Sequence, residues 1–377
     1  MDNDELNPAE LLAQGLAALS DLLGSEWFVA PRPDSESRSG VDVIVELRAE
    51  GDSSYTQLLV DIRRSVTPRM VEEVLLPKLD LIRQVNRYTN LMIITPWLAR
   101  KTQHMLRELG ISYLDMTGNV SLRVSRPAIV VYTEGATRAP RSVAHEPSRT
   151  TLAGPKASRL VRLLADVRPP FRAVELADAS GLSLAYVSRL LDTLEDQLLI
   201  RRDGRVIYAV DWMNLLRARA KQDNLLRNHS YQGMVAPNGI PAVLNEISSL
   251  PAKALDGIAI TGSWAAHRVA PLSAGGQLIL HIAKWLSVDD LADDLGLLPV
   301  RENADVLFLP ARDQVVFDGT KRFGGVQHVA LSQLVLDCLA GPGRMPAEGE
   351  AVLEYMLTHE DEWRAFSVLT QQKHRSH

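Results

Sequence analysis

A single cysteine, Cys338, stands in 377 residues. That excludes an internal disulfide and any zinc site built from several cysteines. Long apolar runs are missing too: the longest, Leu91 to Pro96 and Leu278 to Ala283, fall far short of the roughly 20 residues that span a bilayer. The opening residues include Asp2, Asp4 and Glu5, the opposite of a basic signal-peptide start. A cytoplasmic protein that does not engage a membrane is expected. Net charge is modest at −5, which argues against a surface that coats nucleic acid as a whole. No internal repeat is visible.

The charge that is present is unevenly spread. Lys and Arg number 17 against 20 acidic residues in 1–150, 13 against 9 in 151–229, and 11 against 17 in 230–377. Only the middle third is net basic, and that is where the clearest motif lies. The length exceeds one ordinary core, so two or three domains are expected.

Residues 9–23 carry Leu11, Leu12, Leu16, Leu19, Leu22 and Leu23 at helical spacing. Strands are expected at 41–47, 57–62, 91–95, 122–124 and 129–131. Helices are expected at 68–86 and 98–109, the second closed by Gly110. This alternation implies a mixed α/β domain over 1–134. Residues 135–156 hold three prolines, several Ser and Thr and few large apolar groups, the composition of a linker. A compact motif with its connecting helix follows over 157–227, then a third domain over 228–377 with a frayed tail from 371.

The middle segment reads as a winged helix-turn-helix. A first helix, 157–167, ends at Pro169-Pro170. A second spans 173–179, Gly181 makes the turn, and Ser183 caps a third. That third helix puts Val187, Leu190, Leu191, Leu194 and Leu198 on one face. Tyr186, Ser188 and Arg189 fall on the other, as a recognition helix requires. Two strands joined at Asp203-Gly204 form a hairpin carrying Arg201, Arg202 and Arg205, placed to meet phosphate. A winged helix used only for protein contacts is the competing reading.

Two further constellations carry chemistry. Asp42 on one strand and Asp61-Ile62-Arg63 ending the next resemble restriction-endonuclease-like domains. There, two carboxylates hold Mg²⁺ and a lysine assists a water. Arg63 stands where the lysine is wanted, and an arginine is a poor substitute, so lost nuclease chemistry is expected. Arg63, Arg64 and Arg69 would then form a second nucleic-acid contact. A plain salt bridge from Arg63 to Asp42 or Asp61 is the alternative. In the last third, Gly262-Ser263 at a strand-to-helix turn, with His267 and Arg268 beyond, is a candidate ligand turn. The strand after it, 277–282, has no carboxylate, and Asp289, Asp290, Asp293 and Asp294 suit a solvated helix face.

The segment 109–120, containing Gly110-Ile111, Tyr113, Asp115 and Gly118-Asn119, together with Asp61-Ile62-Arg63, Gly262-Ser263-Trp264-Ala265-Ala266 and the run 333–344, resembles AbiEi-like antitoxins and transcriptional regulators. The resemblance implies a multidomain α/β and α+β chain: an endonuclease-like α/β domain, a central winged helix-turn-helix and a C-terminal nucleotidyltransferase-like α/β domain. It implies double-stranded DNA as partner and regulation rather than catalysis, with no cofactor or metal. A homodimer on a two-fold site is expected, with single-stranded DNA, a nucleotide-like ligand or a toxin as further partners. An antitoxin acting through protein contact and a Mg²⁺-dependent nuclease guided by the winged helix stay open as alternatives.

Overall fold

A computed structural model describes residues 7–32, 42–51, 55–86, 89–140, 151–228, 230–272 and 276–366. Residues 141–150 of the expected linker and the tail from 371 lie outside these. Among the described residues no helix is long and apolar enough to cross a membrane. The chain divides into two compact units: the residues up to Arg149 with Asp196–Leu198, and Thr150–Glu195 with everything from Leu199 onward.

In the first unit, helix α1 (Pro8–Leu23) starts at Asn7, whose side chain and Glu10 cap each other's backbone. Strands β1 (Trp27–Pro31), β2 (Asp42–Ala49) and β3 (Tyr55–Ile62) follow. Pro68–Met70, a π-helical Val71–Leu75 and Leu76–Val85 run together as helix α2. Then come β4 (Thr89–Thr95), α3 (Arg100–Leu109), β5 (Ser112–Asp115), β6 (Val120–Ser125) and β7 (Ala128–Thr133). The strands pair in sequence order. Only β3–β4 and β4–β5 are parallel, and α2 and α3 are the crossovers such pairs need. Leu91 and Ile93 pack with α2 and α3, whereas Met92 and Ile94 pack with α1. Burial on both faces explains why this strand reads as an unbroken apolar run.

The segment 109–120 has a structural use. Asp115 is buried, and its carboxylate accepts from the backbone N–H of Leu98, Thr117 and Asn119 and from the Thr117 hydroxyl and Asn119 amide. Asn119 in turn ties down Gly135 and Ala136. A Cβ on Gly135 would meet the Thr117 carbonyl at 2.0 Å, so only glycine passes there.

The second unit opens with α4 (Gly154–Asp166), β8 (Phe171–Arg172), α5 (Ala173–Ser180), α6 (Leu184–Asp196), β9 (Ile200–Asp203) and β10 (Val206–Val210). The short strands form a sheet in the order β8-β10-β9. Helix α7 (Trp212–Ala220) is capped by Asp211. The continuous connecting helix expected to Arg227 is broken: α7 stops at Ala220 and a separate turn forms at Leu225–Asn228.

The remainder comprises β11 (Gln232–Val235), α8 (Ile240–Ser249), β12 (Ile258–Thr261), α9 (Gly262–Val269), β13 (Leu278–Ile282) and α10 (Val288–Asp294). After these come β14 (Leu298–Val300), β15 (Val306–Pro310), β16 (Lys321–Phe323), β17 (Val326–His328), α11 (Leu331–Leu339) and α12 (Met345–Thr358). Strand β12 begins at Ile258, directly after a helical turn at Ala252–Leu255. The sheet runs β14-β11-β15-β13-β12-β17-β16 with mixed directions. Asp289, Asp290, Asp293 and Asp294 all lie exposed on α10, the solvated face expected.

One hydrophobic cluster runs from Leu152 through the winged helix to Met356. Helix α4 packs against α7 and α11. Trp212 meets Trp363 edge to face at 5.0 Å, a favoured aromatic geometry. Arg162, only 2% exposed on α4, donates to the Ser332 hydroxyl and to the carbonyls of Val315 and Asp318. Arg159 forks onto both oxygens of Asp313 at 2.9 and 3.0 Å.

Candidate nucleic-acid interface

The geometry of the winged helix follows from its apolar spacing. Val187, Leu190, Leu191 and Leu194 on α6 are buried against α4 and α5. Gly181 takes a left-handed conformation, φ 66°, which turns the chain between α5 and α6 at little steric cost. The Ser183 hydroxyl accepts from the Tyr186 N–H at 3.4 Å, so the cap is where the sequence places it. Leu198 departs from the expected stripe. It lies past the end of α6 at φ 56° and is only half-buried, because the chain must reverse there to enter β9.

Opposite the buried stripe, Arg189 is exposed and Ser188 half-exposed. Tyr186 is half-buried and packs on the core. Burial raises its phenol pKa, and the nearby Arg219 charge works the other way. A phenol held neutral donates a hydrogen bond. The exposed polar face of α6 is therefore short, centred on Arg189, with Ser183 and Tyr186 at its N-terminal end.

In the wing, Asp203 pairs with Val206, so the turn residues are Gly204 and Arg205, not Asp203 and Gly204. Arg205 sits at the tip and is exposed, and Arg201 is exposed on β9. The register slips between Ile207 and Ala209, and Tyr208 in that bulge is 53% exposed. Sequence reasoning passed over Tyr208, since alternation alone does not announce a bulge.

Arg202, expected to meet phosphate, is engaged within the protein. Its guanidinium bonds Asp192 and Glu195 of α6. Burial works against its charge, yet those hydrogen bonds outweigh burial and hold its pKa above the ordinary value. Arg202 thus fastens the wing to α6. Its single positive charge offsets part of the negative charge of those two carboxylates.

The strand-end acids of the first unit do converge. Asp42 and Asp61 are register partners on β2 and β3, so their side chains leave the same sheet face. Asp61 is fully buried, and Arg63 grips both its oxygens at 2.6 and 3.0 Å. Those hydrogen bonds raise the Arg63 pKa, with burial opposing. A third partner escaped notice in the sequence: Lys78 of α2 bonds Asp42 at 2.6 Å and Asp61 at 2.8 Å. Its ammonium occupies the space between carboxylates where a divalent cation would need its oxygen ligands. Among the described residues no group of three or more His, Cys, Asp or Glu side chains is placed to hold a metal ion. Of the arginines expected to form a second nucleic-acid contact, Arg63 is bound to Asp61 and Arg69 pairs with Glu73 at 2.9 Å on the surface. Arg64 is exposed.

At the C-terminal turn, Gly262 has φ 66° and Ser263 is buried. The Ser263 hydroxyl donates to Glu348 at 2.6 Å, so it faces the protein rather than a ligand. Arg268 lies over the Phe323 ring, and His267 is exposed. On β13 the polar residue is His281. It contacts the Asp337 carboxylate at 2.8 Å, which also accepts from Thr261 and Gln333. Burial alone would raise the Asp337 pKa, but the His281 charge and these hydrogen bonds hold it below the ordinary carboxylate range.

Residues 155–204 match the family model of the IclR helix-turn-helix domain. The matched segment runs from the first turn of α4 to the wing tip at Gly204. No curated protein and no solved structure matches the chain. The middle of the chain is thus a helix-turn-helix of DNA-binding type.

Proposed function

We propose that this chain is a transcriptional regulator that reads duplex DNA by placing α6 in a major groove and the wing on the flanking backbone. The observation that carries the reading is the exposed Arg189 face on a helix-turn-helix of IclR type, beside a wing tipped by Arg205. Base-edge contacts from α6 would specify sequence, and the wing would supply position and salt-dependent affinity. The motif-level resemblance to AbiEi-like regulators agrees with this role.

Selection from a random duplex library with the full chain tests the reading directly. Enrichment of one sequence, two-fold symmetric if the protein binds as a dimer, is expected. Retention of all sequences alike, or of none, would overturn it.

The wing carries its own expected result. Arg205→Ala should weaken binding to every duplex about equally and reduce the slope of log affinity against log salt by about one. A titration in which sequence preference changes while the slope holds would mean that the wing reads bases.

For the first unit we propose a role without cleavage, supported by Lys78 lying between Asp42 and Asp61. Neither plasmid nor single-stranded DNA should be cut in Mg²⁺ or Mn²⁺. Metal-dependent cleavage that disappears in Asp61→Ala would show the opposite.

A further inference from the structure

A cavity of about 380 Å³ lies where the first helix of the winged helix meets the C-terminal module. Such a volume suits a small metabolite. Its walls come from the start of α4, the end of α7, the loop after β15, and α11.

Two buried side chains on those walls lack partners for atoms that ordinarily need them. Arg219 is 5% exposed; one amino group holds Asp223 at 2.8 Å, but its Nε has no partner among the described residues. Gln333 is 6% exposed; its amide nitrogen donates to Asp337 at 2.8 Å, but its Oε1 has none. A buried donor or acceptor left unmade costs free energy, so each such group calls for an explanation. Arg219 and Gln333 both line this cavity.

The rest of the lining states the ligand's charge. The first turn of α4 enters the cavity through Ala153, Gly154 and Ser158, and no side chain caps that helix. Its N–H groups and dipole favour an anion. Two of the three carboxylates on the wall face cations, Asp223 meeting Arg219 and Asp313 meeting Arg159, and the third, Asp337, is hydrogen-bonded by His281, Thr261 and Gln333. Arg312 stands exposed among the lining residues.

We infer that this cavity binds a small organic anion that carries a carboxylate or phosphate for Arg219 and the start of α4, and a hydroxyl or amino donor for Gln333. This anion would also act on DNA reading, a step that rests on the function proposed above. Helix α4 is the first helix of the DNA-binding motif and packs on α7, which carries Arg219. Only a ligand that binds one arrangement of these helices better than another shifts the equilibrium between them.

The test uses the full chain and three probes at millimolar concentration: malate for the carboxylate arm, glycerol 3-phosphate for the phosphate arm, and glycerol as the uncharged control. Calorimetry should show malate or glycerol 3-phosphate binding and glycerol not binding. Whichever anion binds should lose about tenfold or more in affinity in Arg219→Met and in Gln333→Leu, as loss of a hydrogen bond to a charged or buried group implies. Gln333→Leu also removes the amide that donates to buried Asp337, so the unfolding midpoints of both variants are measured alongside. Arg312→Ala, at an exposed residue of the lining, should weaken anion binding and keeps the test informative if neither of them folds. Failure of both anions to bind, equal binding of glycerol, or affinities unchanged in Gln333→Leu would overturn the site. DNA affinity measured with and without the bound anion should differ. Anion binding with no change in DNA affinity overturns the coupling alone, whereas a chain that never binds DNA overturns the proposed function and leaves the site standing.

Discussion

Arg162→Ala should lower the unfolding free energy of the second unit by about 3–5 kcal/mol, the range for breaking a buried charge network by removing one partner. The side chain is 2% exposed and serves Ser332 and the carbonyls of Val315 and Asp318, with Asp166 3.6 Å away. Alanine would take the donor from the buried Val315 carbonyl and the Ser332 hydroxyl, and would leave a cavity beside them. Arg162→Met separates the two causes, since it restores volume and no hydrogen bonds. Denaturant unfolding should find methionine nearly as damaging as alanine. Recovery with methionine would mean that packing, not the backbone acceptors, is what Arg162 supplies. Arg159→Ala is the contrast: its side chain is 38% exposed, and a surface pair of that kind contributes about 1 kcal/mol or less.

The second large effect is on recognition. Arg189→Ala should weaken binding at the selected site by about 5- to 150-fold, the equivalent of ~1–3 kcal/mol for a bidentate contact to guanine. Arg189 is exposed on the face of α6 opposite Val187, Leu190, Leu191 and Leu194, and its substitution touches none of the buried stripe. Circular dichroism should therefore be unchanged, and affinity for unrelated duplexes should fall much less. A gel-shift titration in which specific and unrelated duplexes lose affinity equally would make Arg189 a phosphate contact, and an unchanged specific affinity would remove it from the interface.

Local periodicity made the winged helix legible. Its strong signals, an apolar stripe at helical spacing, a glycine turn, a serine cap and a hairpin rich in arginine, all lie within about fifty residues and need no distant partner. Strands β1 and β5 were illegible for the converse reason. Trp27–Pro31 does not alternate, and Ser112–Asp115 has four residues buried on both faces. The side chains that decide chemistry were the least legible. Lys78 reaches Asp42 across 36 positions, and Arg162 reaches Ser332 across 170. In sequence, Lys78 and Arg162 are charged residues on helices of mixed polarity. Arg202 misleads more subtly, because a basic residue on a wing invites a phosphate, and only the fold brings Asp192 and Glu195 to it.

The single apolar cluster that begins at Leu152 and ends at Met356 bears on how this protein can be cut and recombined. A helix-turn-helix is commonly treated as a portable cassette, to be excised and fused to another sensor. Here the back of α4 is finished by α11, and Trp212 by Trp363. A fragment ending near residue 228 would carry raw apolar surface, and Arg162 would lack the carbonyls that hold it. Chimeras should keep residues 151–366 whole and change only the face of α6, so that new specificities come from exchanging surface side chains rather than from exchanging domains.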